Sequence, residues 1–151
     1  MDYLEHLRYT AWASRKLVDA AAQLTEEELN RDFGTADKSV LGTLVHVYAA
    51  DRIWLARIEG REQQFITPED RNLAVLQNDW PKLLERWQSL SDFERAISYK
   101  DLKGNSYQTP LRQIILHVVN HGTHHRGQVS GFLRAMGHKP PPVDLIFFYR
   151  E

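Results

Sequence analysis

Residues 109–137 read TPLRQIILHVVNHGTHHRGQVSGFLRAMG. Leu111, Ile114, Ile115, Val118, Val129, Phe132, Leu133 and Met136 recur at the spacings of one helix face. Thr109 can cap such a helix, Pro110 suits its first position and Gly137 its stop. From 110 to 136 it would run roughly 40 Å at ~1.5 Å per residue. A helix with one long apolar stripe needs other elements to cover it.

Four of the chain's seven histidines lie on this helix. At ~100° per residue, His125 falls about 30° from the centre of the stripe and His121 about 70°. His117 falls at about 110° and His124 at about 130°, near or beyond its edge. The two inward histidines are four residues apart, so their side chains stack on one face ~5–6 Å apart at Cβ. Two imidazoles so placed can share one metal ion, as in H-E-x-x-H proteases. No Glu lies between them here, which excludes the protease reading. A hydrogen-bonded cleft histidine is the plainer account of either one alone. Burying both without partners costs free energy, which keeps metal binding level with it. His117 and His124 read as surface or supporting residues, and His6 and His138 as bystanders.

Outward from this helix, three more long helices are expected. The first covers residues 2–23, with Leu4, Leu7, Ala11, Leu17, Val18 and Ala21 on one side. Thr25 and Glu28 then form a capping-box pattern. The second runs from the cap Ser39 to Glu59, with Gly60 at its stop. The third lies within residues 72–91, kinked at Pro81. Residues 61–71 are a long polar link of the sort that makes a crossover, so the second and third helices can run parallel. Residues 97–109 fit a short hairpin turning at Gly104. In the tail, Leu145, Ile146, Phe147 and Phe148 should dock on the body. The expected class is all-α: a four-helix bundle with a long crossover between helices 2 and 3.

Bundle metal sites draw ligands from facing helices. The second helix carries His46, whose neighbours by phase are Ala50 and Ile53, away from the main face of Val40, Leu44, Val47, Leu55 and Ile58. Spacing permits His46 as a third ligand without selecting it. Asp51 falls on that main apolar face, which suits a buried ion pair or cap interaction better than metal ligation. Arg126 flanks the core face of the last helix and could hold an anionic substrate. An ordinary surface or interhelical ion pair is its simpler role.

Composition narrows the function. With 151 residues the chain fits one domain, residues 1–151. It has no Cys, which excludes disulfides, thiolate zinc sites and a cysteine nucleophile. A net charge of −1 gives no basic field for nucleic acid. No secretory leader or membrane span is visible, so a cytoplasmic protein is expected.

Three segments resemble the DinB-like family, named for DNA-damage induction and regarded as metalloenzymes. They are TLVHVYAADRIWLARIEG (residues 43–60), HVVNHGTHHRGQV (117–129) and PPPVDLIFFYRE (140–151). The stretch YTAWAS (9–14) is similar to the family's Y-N-x-W-A-N, with Thr10 and Ser14 where Asn is usual. Val45 likewise replaces an Asn before the family's histidine. The resemblance spans nearly the whole chain. It implies an up-down-down-up bundle that frequently forms a homodimer. It also implies a divalent transition metal, Ni or Zn, held by His46, His121 and His125. Some relatives are thiol-S-transferases that use a low-molecular-weight thiol, and many have no assigned activity.

Three histidine ligands would leave an open coordination position, as catalytic sites do. The chemistry expected is that of a metal-dependent transferase or hydrolase, foremost transfer of a small thiol to an electrophilic small molecule in detoxification. The alternative is a metal-binding or dimeric interaction module without turnover, which the absence of an obvious general base keeps open.

Overall fold

The computed structural model describes residues 1–151. The helices are α1 (Tyr3–Ala21), α2 (Glu26–Asn30), α3 (Val40–Ile58), α4 (Leu73–Gln88), α5 (Leu111–Ala135) and α6 (Leu145–Tyr149). Between α4 and α5 lie β1 (Ala96–Lys100) and β2 (Ser106–Pro110). The chain is mostly helical, and the small antiparallel sheet is a departure from a strictly all-α class. It falls where the Gly104 turn placed a hairpin, with Tyr99 opposite Tyr107 and Ile97 opposite Thr109.

Side chains fix where the helices begin. Asp2 accepts from the Glu5 amide, Ser39 from Gly42 and Asn72 from Val75, so each occupies one otherwise unpaired donor. The Thr25–Glu28 capping box is present on the short α2. Gly60 (φ +66°) and Gly137 (φ +84°) follow the ends of α3 and α5 in the left-handed region. Pro81 lies inside α4, within the 72–91 span expected for that helix.

The start of α5 differs from expectation. Thr109 does not cap it but sits in β2, where its hydroxyl meets the Tyr99 hydroxyl at 3.0 Å. Pro110 takes the cap position and offers no side-chain bond. The first amides of α5 are satisfied from elsewhere. Leu111 donates to the Arg95 carbonyl at 2.9 Å and Arg112 to that of Phe93 at 2.8 Å.

One core holds the long helices together. α1 packs on α4 and α5, while α3 packs on those two from the other side. α3 also meets α2 and β1. That explains its apolar character on several sides, since Val45 and Tyr48 are as buried as Leu44 and Val47. Seven of the eight stripe residues of α5 are buried, and Met136 packs at the edge. Burying a Leu, Ile or Phe side chain contributes roughly 1.5–3 kcal/mol, so this stripe fixes the rotation of α5. The tail docks only in part. Phe148 packs on Tyr9 and Trp12, and the Tyr9 hydroxyl donates to the Val143 carbonyl at 2.7 Å. Ile146 and Phe147, expected to dock, are exposed, because the tail forms a short helix with only one side on the body. No helix is long and apolar enough to cross a membrane.

Candidate metal centre

α3 and α5 face one another and bring His46, His121 and His125 together. One ring nitrogen from each lies within 4.8 Å of the others. The ring centroids stand 4.9, 4.6 and 4.6 Å apart, a nearly equilateral triangle. The rotation argument had selected His121 and His125, and the packing of α3 adds His46. No other His, Asp or Glu joins the cluster. Nitrogens held at ~2.0–2.1 Å by a tetrahedral ion lie roughly 3.3 Å apart. The His46 and His121 Nε2 atoms are separated by 3.0 Å and all three nitrogens lie within 4.8 Å, so shifts of a few tenths of an ångström to about 1.5 Å would bring them to that spacing.

The outer nitrogens support this orientation. His46 Nδ1 faces the Asp37 carboxylate at 3.6 Å. His125 Nδ1 is 2.7 Å from Gln128 Oε1. Such outer partners fix ring orientation and leave Nε2 to point inward. The partner of His125 had a signal in the sequence, a polar residue three positions on along the helix. Asp37 had none, since it lies in the link before α3. His121 is the exception: its Nδ1 is buried with no partner. Nothing outside the cluster therefore holds that ring by hydrogen bonding, and its polar contact is the inward one.

Electrostatics disfavour a proton on His46 and His121. Burial lowers the His46 pKa, partly opposed by Asp37, with His125 lowering it further. His121 is pushed down to about 4, first by burial and then by His125, His46, His117 and His124. Both are neutral near pH 7, the form in which imidazole binds a metal.

The other singled-out residues fall around this centre. His117 and His124 are exposed and outside the triangle. The His117 ring lies 6.0 Å from that of His121 and 5.4 Å from Trp54, while the His124 ring lies 4.8 Å from His125. His6 is half-buried on α1, outside the cluster. His138 is no bystander: its Nε2 meets the Glu28 carboxylate at 2.5 Å and ties the end of α5 to the α2 cap. Asp51 is buried and forms no ion pair within bonding reach. It accepts from the Trp80 indole at 3.0 Å, and its own carbonyl accepts from Trp87 at 3.1 Å. Burial raises its pKa to about 7, opposed by the Trp80 bond and by the charge of Arg126.

Arg126 is not at the surface and forms no ion pair either. Only 1% of it is exposed. It donates to Thr123 Oγ1 at 3.1 Å and Ser14 Oγ at 3.4 Å, with its guanidinium 5.3 Å from the Tyr9 ring centre. Gly122, one turn before it, makes the room: a Cβ there would stand 2.8 Å from Arg126 Nη1. Ser14, at one of the positions where the family pattern has Asn, thus keeps a polar role.

A mostly helical chain with a histidine triad between two packed helices has a ligand set compatible with a metal ion. The chain belongs to the DinB family, whose family model matches residues 1–151. It is similar to Protein DinB of Bacillus subtilis (strain 168), 24% identical over 90% of this chain and 87% of that one. It is also similar to the Uncharacterized protein YizA of the same organism, 29% identical over 85% of this chain and 82% of that one.

Proposed function

We propose that the chain binds one divalent transition metal, nickel or zinc, through His46, His121 and His125, and acts as a metal-dependent thiol-S-transferase on small electrophiles. The observation that carries the metal reading is the convergence of three ring nitrogens within 4.8 Å with no fourth protein ligand beside them. A bound ion there would supply Lewis acidity, lowering the pKa of a thiol or water in its open position. The protein contributes the rest. His46 and His121, kept neutral, hold their places without a proton to displace, and Asp37 and Gln128 orient the rings. The chain has no Cys, so the thiol arrives as a co-substrate. Its sulfur forms a bond to the electrophilic carbon, the leaving group departs with its electron pair, and the thiol proton passes to solvent.

The further elements of this reading are a single-domain up-down-down-up bundle, a cytoplasmic homodimer, a small-molecule substrate and no nucleic-acid partner. Contacts support the helix directions. Tyr48 meets Trp80 and Glu59 meets Arg86, which suits parallel α3 and α4. His46 meets His121 and Trp54 meets His117, which suits antiparallel α3 and α5.

A second reading, a metal-binding or interaction module without turnover, is favoured by one observation. The only carboxylate within ion-pair reach of the cluster is Asp37, and it lies on an outer nitrogen, not on the open side. Metal analysis of the purified protein, followed by thiols offered with electrophile panels, separates the two. About one ion per chain is expected, falling to near zero in His121→Ala. Unchanged metal in that variant would sink the site assignment, and a loaded protein inert to every thiol would leave the module.

A further inference from the structure

Residues 31–39, between α2 and α3, carry Asp37 to its place beside His46. Two bonds close this loop on itself. The Phe33 amide donates to the Lys38 carbonyl at 2.7 Å, and the Lys38 amide to that of Thr35 at 3.1 Å. Lys38 has φ +68°, and across it the Ser39 amide donates to the Asp37 carbonyl at 2.8 Å. A bond from i+2 back to i across a positive φ is a γ-turn of the rare, strained hand. Strain of this kind at a residue other than glycine persists only where neighbouring structure imposes it.

The neighbour that imposes it is aromatic. The half-buried Phe33 ring lies face to face on Phe132 of α5, with centroids 4.4 Å apart and planes at 5°. The Arg31 guanidinium is 5.2 Å from the Phe33 ring centre. Phe132 follows His125 by seven residues, two helical turns, so it lies on the same side of α5 about 10.5 Å further on. The loop is therefore seated on the helix that supplies two histidines, while its Asp37 faces the third, on α3. A ring that only seals the edge of the core would account for the stack. It would not account for a strained turn placed directly after the carboxylate that faces His46.

We propose that Phe33 is a positioning residue for the centre: its stack on Phe132 seats the 31–39 loop so that Asp37 holds the His46 ring with Nε2 turned inward. The consequence for metal affinity rests on the metal reading above, whereas the seating of the ring does not.

A double-mutant cycle, read by zinc competition with a chromophoric chelator, tests the coupling. Phe33→Ala is expected to weaken zinc binding about tenfold, the lower bound for loss of an outer partner. In the Asp37→Asn background the same change should alter affinity by a factor of ~1, because the carboxylate through which it acts is gone. Phe33→Tyr keeps the stack and should bind as the wild type does. Phe33→Leu keeps apolar bulk without a planar ring and takes the place of Phe33→Ala if that variant does not fold. An equal loss in both backgrounds would mean general loosening and overturn the proposal, as would no loss in either. Nitrogen NMR of the metal-free protein at pH 8 reads the ring without any ion. The wild type should carry the His46 proton on Nδ1, facing Asp37, and Phe33→Ala should show a mixture of the two tautomers. Identical tautomers in both proteins would overturn the proposal. A tautomer shift in a protein that binds no zinc would uphold the seating of the ring and sink the metal reading alone.

Discussion

Asp37 and Gln128 never join the triad, yet they set which nitrogen each histidine turns inward. Removing such an outer partner typically costs 10–100-fold in metal affinity. Asp37→Asn and Gln128→Ala are each expected to weaken zinc binding by roughly that factor in a competition titration with a chromophoric chelator. An affinity equal to the wild type in both would remove them from the site. Asp51 makes a different prediction. Its pKa rises from 3.8 to about 7 on folding, chiefly through burial. The folded state therefore holds this proton more tightly than the unfolded chain. That stabilisation is full below 3.8 and is lost as pH climbs through about 7. Asp51→Asn keeps an acceptor for the Trp80 indole and has no proton to lose. Its stability relative to the wild type should rise with pH across this window, at a slope approaching ~1.4 kcal/mol per pH unit. Urea unfolding at a series of pH values measures it, and a constant difference would refute the burial account.

The first turn of α3 shows how tightly one element can be placed. A Cβ on Gly42 would stand 2.1 Å from the Asp37 carbonyl oxygen, a contact that only displacement of the backbone can relieve. Gly42→Ala should cost about 1–3 kcal/mol in chemical denaturation and also weaken metal binding, because Asp37 moves with that backbone. Loss of stability with unaltered metal affinity would separate Asp37 from the site. Local signals made much of this level legible. Ser39, Gly60, the Thr25–Glu28 pair and the periodic stripe of α5 each act within a turn or two of chain, so spacing alone reveals them. His121 and His125 were legible for the same reason. His46 was not, because α3 is covered on several sides and its phase marks no single inner face. Arg126 was misread from its place at the stripe's edge. Its burial depends on Ser14, more than a hundred residues away, and on space left by Gly122.

At the scale of the molecule, two helices from distant parts of the chain supply the three histidines, so an ion would bridge α3 and α5. Binding to the folded state alone stabilises it by about 2.7 kcal/mol at a hundredfold excess over Kd. Zinc should therefore raise the melting temperature of the wild type and leave that of His121→Ala unmoved in differential scanning calorimetry. An equal rise in both would mean binding elsewhere. Helix pairing was only partly legible in the sequence, since link length permits a crossover but does not say which faces meet. The junction of hairpin and helix carries a last consequence. The amides of Leu111 and Arg112 are held by the carbonyls of Arg95 and Phe93, chain that precedes the hairpin, so α5 begins on a clasp it does not own. Those two protons are internal reporters of whether that clasp is shut. Their slow exchange with deuterated solvent would show the clasp closed, turning the first turn of α5 into a gauge of how firmly the hairpin is seated.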